Sequence, residues 1–127
     1  MSIYPTYHFR DARSAIDFLE RAFGFERNAV HEAEDGTIQH AELRLGDGLI
    51  MLGDTQDTEY AKLAPPPGSG SVYIAVDDVD ALVDRARAAG AEIVYGPKDQ
   101  EYGSRDFTAR DPEGNLWSFG TYRPARP

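Results

Sequence analysis

The 127-residue sequence contains no cysteine, which excludes a disulfide framework, a thiolate-bound zinc and a cysteine nucleophile. It is also short of positive charge: 13 Lys and Arg stand against 22 Asp and Glu, for a formal charge of −9 and a pI near 4.7. Phosphate backbones and anionic bilayers repel such a chain, so nucleic acid and membrane surfaces are poor partners; cationic or neutral organic ligands stay open, and the competing reading is that the acidity simply keeps the protein soluble. No stretch approaches the roughly 18 apolar residues of a membrane-spanning helix, and Met1 to Arg10 lacks the basic-then-apolar layout of a secretory leader. A cytoplasmic location is the resulting expectation.

What is present suits a packed core. Hydrophobic residues make up 41% and aromatics 11%, with 28% charged residues for a solvated surface; a chain of this length has material for one core, and 1–127 reads as a single domain. Ile3 to Phe9 carries the Tyr, Ile, Thr and Phe of a strand, with Pro5 confining it to an edge or a crossing. Asp11 offers an N-cap to a helix whose Ala15, Ile16, Leu19, Ala22 and Phe23 share one face until Gly24 stops it. Strands follow at 25–32, 38–45 and 49–52; in the second of these Ala41, Leu43 and Leu45 alternate with His40, Glu42 and Arg44. Residues 54–70, with Pro65-Pro66-Pro67 and Gly68-Ser69-Gly70, lack periodicity and predict a linker loop.

The order then recurs: a strand at 71–76, a helix capped by Asp78 and stopped at Gly90, strands at 92–95, 105–110 and 115–122, and a frayed tail at 123–127. Adding 67 to first-half positions takes Asp11 to Asp78, Ile16 to Val83, Ala22 to Ala89, Leu52 to Phe119 and Gly53 to Gly120, while Leu45 pairs with Ala109 at an offset of 64. Caps fall on caps and apolar residues mostly on apolar residues, the mark of a tandem duplication. The fold class predicted is α+β, with two tandem βαβββ modules at 1–53 and 71–122.

Three motifs carry a resemblance: Phe9-Arg10-Asp11 with Ala15-Ile16-Asp17-Phe18, then Val76-Asp77-Asp78-Val79-Asp80-Ala81-Leu82, then Asp111-Pro112-Glu113-Gly114-Asn115-Leu116-Trp117. In that order, over nearly the whole chain, they resemble the vicinal oxygen chelate superfamily, which includes glyoxalase I, the bleomycin resistance proteins and extradiol dioxygenases. The resemblance implies sheets curled into an open cup with helices outside and a ligand in the hollow, commonly in a homodimer, with Pro5 marking where strand one crosses to the partner. Metal-dependent members carry His or Glu at four positions, which correspond here to Tyr4, Met51, Ser71 and Ser118. None supplies the imidazole or carboxylate a divalent cation needs. No metal and no other cofactor is therefore expected, and the resemblance is closest to the bleomycin-resistance-like branch, in which the cup sequesters a drug without reacting with it.

On this reading the cavity is lined by Tyr4, Met51, Ser71 and Ser118, by His8 at the strand parity of Tyr4, by His40 and Glu42 from strand three, by Tyr73 beside Ser71, and by Tyr102 before strand seven. Trp117 and Phe119 face the helices, and Tyr60 and Tyr95 lie in or beside loops. The competing reading of His40, Glu42 and Arg44 is a solvated strand face with an inconsequential Glu and Arg pair. The expected function is sequestration of an aromatic or cationic small molecule such as an antibiotic. The alternative is a lyase or isomerase type of enzyme, either metal-assisted through an off-position set of His8, His40 and Glu42, or metal-free with Glu42 or His40 as the base.

Overall fold

The computed structural model describes residues 1–125, in the order β1 (Thr6–Phe9), α1 (Ala12–Phe23), β2 (Glu26–Glu32), β3 (Ile38–Leu45), β4 (Gly48–Asp54), α2 (Glu59–Leu63), β5 (Ser71–Ala75), α3 (Val79–Ala88), β6 (Glu92–Asp99), β7 (Arg105–Arg110) and β8 (Leu116–Gly120). Helix α1 starts where the Asp11 carboxylate accepts the Ser14 N–H at 3.1 Å, and it ends at Gly24, whose left-handed backbone (φ 83°) only glycine adopts without strain. Asp78 caps α3 in the same way, accepting the Ala81 N–H at 3.0 Å. None of the described helices is long and apolar enough to cross a membrane.

Each module forms one four-stranded sheet, ordered β1-β4-β3-β2 and β5-β8-β7-β6. The β1/β4 and β5/β8 pairs are parallel and the others antiparallel, so the two modules share one topology. Helices α1 and α3 pack against each other, and one apolar cluster joins both sheets to them through Phe9, Ile16, Leu19, Phe23, Val83, Trp117 and Phe119. Burying each of the larger side chains contributes about 2 kcal/mol. Trp117 and Phe119 do face the helices: both are fully buried, within 5.8 and 4.7 Å of the Phe23 ring.

The modules are also tied by hydrogen bonds to both ends of α1. The Glu113 carboxylate, from the β7–β8 turn, accepts the N–H groups of Arg10 (2.6 Å) and Asp11 (2.9 Å). At the far end, the Arg85 guanidinium of α3 donates to the carbonyls of Glu20 and Arg21, each at 2.9 Å. A carboxylate at the N-terminus and a guanidinium at the C-terminus both complement the helix dipole.

Several boundaries differ from the sequence expectation. Strand β1 begins at Thr6 rather than Ile3, because Pro5 has no N–H and joins the sheet only through its carbonyl, which accepts the Met51 N–H. The expected linker loop contains α2, capped by Thr58, whose hydroxyl accepts the Ala61 N–H at 3.1 Å. Strand β6 runs on to Asp99 through a cis Gly96–Pro97 bond, and β8 stops at Gly120. Ladder register also corrects the repeat: Leu43 faces Ile50 as Ala109 faces Trp117, so Leu43, not Leu45, is the counterpart of Ala109.

Candidate ligand-binding site

Period-two alternation gives each sheet an inner face in the core and an outer face turned away from α1 and α3. On the outer face of the first sheet, Thr6 and His8 alternate with buried Tyr7 and Phe9, Met51 sits between buried Ile50 and Leu52, and His40 and Glu42 flank buried Ala41. Met51 has Thr6 on one side and Glu42 on the other. His40 Nε2 lies 3.0 Å from Glu42 Oε2, and Asn28 Nδ2 donates to Glu42 Oε1 at 2.7 Å. The His40 contact first, and Asn28 second, hold the Glu42 carboxyl below the usual carboxylate range.

The ring of His31 stacks 6.0 Å from that of His40, its partner across the β2/β3 ladder. His8 pairs with Gly53 of β4, so a strand separates it from β3, and its ring meets Tyr60 of α2 at 5.7 Å. Thr6, His8, His40, Met51, Gln56 and Tyr60 line a cavity of about 310 Å³ over this face. Gly53 keeps its floor low, since a Cβ there would come within 2.8 Å of the Gln39 carbonyl oxygen.

The second sheet offers a different wall. Ser71, Tyr73, Tyr95, Tyr102, Asp106, Thr108, Ser118 and Tyr122 line a cavity of about 560 Å³ on its outer face. Tyr73 faces Ser118 across the β5/β8 ladder, and Thr108 and Ser118 share a hydrogen bond of 2.7 Å. The Tyr73 hydroxyl donates to the Tyr122 carbonyl at 2.7 Å; burial pushes its pKa up. Room for the Tyr73 phenol exists because Gly120 has no side chain: a Cβ there would sit 2.7 Å from its oxygen.

Of the residues expected from sequence, the structure gathers His8, His40 and Met51 on one cavity and Ser71, Tyr73, Tyr102 and Ser118 on the other. Glu42 borders the first through His40. Tyr4 is not brought in: it precedes β1, is half exposed, and Thr6 takes the place opposite Met51. His8, His40 and Glu42 do not form a metal set, because no three His, Asp or Glu side chains among the described residues are placed to hold an ion. Nor do the neutral Tyr4, Met51, Ser71 and Ser118 fit the divalent metal of the catalytic vicinal oxygen chelate members. Sequence reading missed His31 and Asn28, which only the β2/β3 register brings beside His40 and Glu42, and Asp106 and Tyr122 on the second wall.

The family model described as the glyoxalase/bleomycin resistance protein/dioxygenase superfamily matches residues 6–119, both modules and the loop between them. The chain belongs to this superfamily. A curated relative, the uncharacterized protein Mb0911c of Mycobacterium bovis, is 36% identical over 115 residues, covering 87% of this chain and 76% of the relative. The crystal structure of TioX from Micromonospora sp. ML1 is similar with a TM-score of 0.80 and 35% identity, over 94% of this chain and 98% of TioX. TnmS3 from Streptomyces sp. CB03234, described as an antibiotic binding protein, shares the fold at a TM-score of 0.71 and 24% identity, over 94% of each chain. The vicinal oxygen chelate architecture of paired βαβββ modules is thus the one observed.

Proposed function

We propose that this superfamily member is a small-molecule binding protein that takes up an aromatic or cationic compound, such as an antibiotic, without a metal and within a homodimer. The observation that supports the reading is the pair of outer sheet faces, each hollowed into a cavity, with neutral Met51 in the first and neutral Ser71 and Ser118 in the second at positions where the resemblance places metal donors. Fold-level analogy with TnmS3 supports the ligand class. The homodimer is supported by open edges at β1, β2, β5 and β6 and by a groove of about 510 Å³ lined by Ile3, Leu45, Leu49, Val72, Ile74 and Val76.

The test is calorimetric titration with a panel of aromatic antibiotics, bleomycin-type glycopeptides included. A dissociation constant in the micromolar range or tighter is expected; no compound binding better than millimolar would refute the reading.

One observation favours a second reading. The Asn28–Glu42–His40 chain holds a carboxylate and an imidazole together on the cavity side of β3, the arrangement of a metal-free acid–base pair. Mass spectrometry of the panel after incubation with wild type and Glu42→Gln separates the two: unchanged compounds support binding alone, and Glu42-dependent products support an enzyme.

A further inference from the structure

We infer that the second sheet's outer face is a recognition site for a planar ring system carrying a positive charge and N–H donors, with Asp106 as its counter-ion. This deepens the proposed function and rests on it, and three observations carry it.

Four of the chain's seven tyrosines, Tyr73, Tyr95, Tyr102 and Tyr122, line this one cavity, and each is at least 42% exposed. Exposed phenol faces in one hollow offer stacking area and negative π-faces, which attract flat rings and cations. One face is already used this way, with the Lys98 ammonium 5.8 Å from the centroid of Tyr95.

The rings are also fixed in advance. Tyr73 is tethered through its hydroxyl to the Tyr122 carbonyl, Tyr95 accepts from Gln100 Nε2 at 2.8 Å, and Tyr102 packs edge-on against Tyr122 at 5.9 Å. Holding the rings by their hydroxyls and edges lowers the entropy lost on binding.

Third, Asp106 places a carboxylate in this wall. Its Oδ1 accepts from Gln100 Nε2 at 2.9 Å, while its Oδ2 has no hydrogen-bond partner and the group makes no ion pair among the described residues. The neighbouring Arg105 is taken by Asp80 and Asp99, and Asp106 is the one charged residue among the described residues lining the cavity. A half-buried carboxylate beside aromatic faces prefers an ammonium donor over water alone. The cavity volume of about 560 Å³ lies within the range that encloses drug-sized ligands.

The experiment titrates the full chain with three planar tricyclic compounds: proflavine, a cation; phenazine, neutral; and anthraquinone-2-sulfonate, an anion. Proflavine is expected to bind at least tenfold more tightly than phenazine, with the sulfonate weakest. Asp106→Asn should remove most of the preference for proflavine over phenazine. Asp84→Asn, which makes the same charge change at an exposed position of α3, should leave it intact. Tyr102→Leu, at a side chain 67% exposed and so remote from the core, should weaken proflavine and phenazine alike by about 3- to 10-fold. Phenazine binding as well as proflavine, or a preference that survives Asp106→Asn, overturns the assignment while leaving small-molecule binding intact. If none of the three binds but the antibiotic panel does, the assignment again fails alone; if nothing in either set binds better than millimolar, the proposed function fails with it. Far-ultraviolet circular dichroism and the urea midpoint establish that each variant is folded before its affinity is read.

Discussion

The phenol of Tyr7, on β1, lies nearly flat against the indole of Trp117, on β8, with ring centroids 4.9 Å apart. The contact crosses from one module to the other, and it buries the Tyr7 hydroxyl without a hydrogen-bond partner. Burial first, and the Asp111 carboxylate second, raise the Tyr7 pKa to about 12. Tyr7→Phe keeps the stacked ring and removes the orphaned oxygen, so it should stabilise the fold at neutral pH by about 1 kcal/mol in urea titrations.

The same residue sets an alkaline limit. Between pH 10 and about 12 the unfolded phenol has lost its proton and the folded one retains it, so the folded state binds more protons and stability falls as pH rises. Wild type should lose about 1 kcal/mol more than Tyr7→Phe between pH 8 and pH 11, measured as the difference in unfolding free energy. Equal losses in the two proteins would mean that the hydroxyl is hydrated.

Asp111 should be among the costliest positions to truncate. It is 5% exposed and accepts four donors: the N–H groups of Glu113 and Asn115, the Asn115 side-chain amide and the Trp117 indole N–H. Asp111→Ala leaves buried donors unpaired and should cost about 3 kcal/mol or more, with a lower urea midpoint and a red-shifted Trp117 emission.

On the ligand side, Glu42→Gln keeps the shape of the side chain and its contact with Asn28 but removes the charge. A cationic compound that contacts this wall should bind about 5- to 150-fold more weakly, corresponding to about 1 to 3 kcal/mol. An unchanged affinity would place that compound on the second sheet alone.

Sedimentation tests the homodimer. A species near twice 14.1 kDa is expected at micromolar concentration. Ile74→Asp, on β5 in the groove between the modules, should shift the population toward monomer. Only monomer in the wild type would remove the dimer from the proposed function.

Much of this fold is legible in the sequence because local rules decide it. Asp11 and Asp78 start helices through their own side chains, Gly24 ends one through its backbone freedom, and the alternation at Ala41 and Leu43 sends His40 and Glu42 outward before any partner strand is known. What stays hidden depends on register between strands. His31 joins His40 only after β2 bulges between Arg27 and Ala29, and Tyr95 reaches the wall of Tyr73 on a strand whose pairing with β7 shifts on both sides of it. Tyr4 was expected in the cavity because counting from Asp11 assumes a strand through Pro5, and with no N–H on Pro5 the strand begins at Thr6, three residues after Ile3. Helix α2, at five residues, is too short for periodicity to announce it.

The hydrogen bonds that Glu113 and Arg85 make to the two ends of α1 bear on how the duplication can be taken apart. Without the other half, α1 keeps its own Asp11 and Gly24 caps but loses the Glu113 and Arg85 contacts, and Tyr7 loses the indole it stacks on. Cutting the chain between Gln56 and Asp57, in the exposed stretch before α2, should therefore yield two fragments that are each unstructured and that regain helical circular dichroism when mixed. If the fragments behave so, each half serves as the other's missing complement, and the pair could act as a split reporter in which reassembly signals that two fused proteins have met.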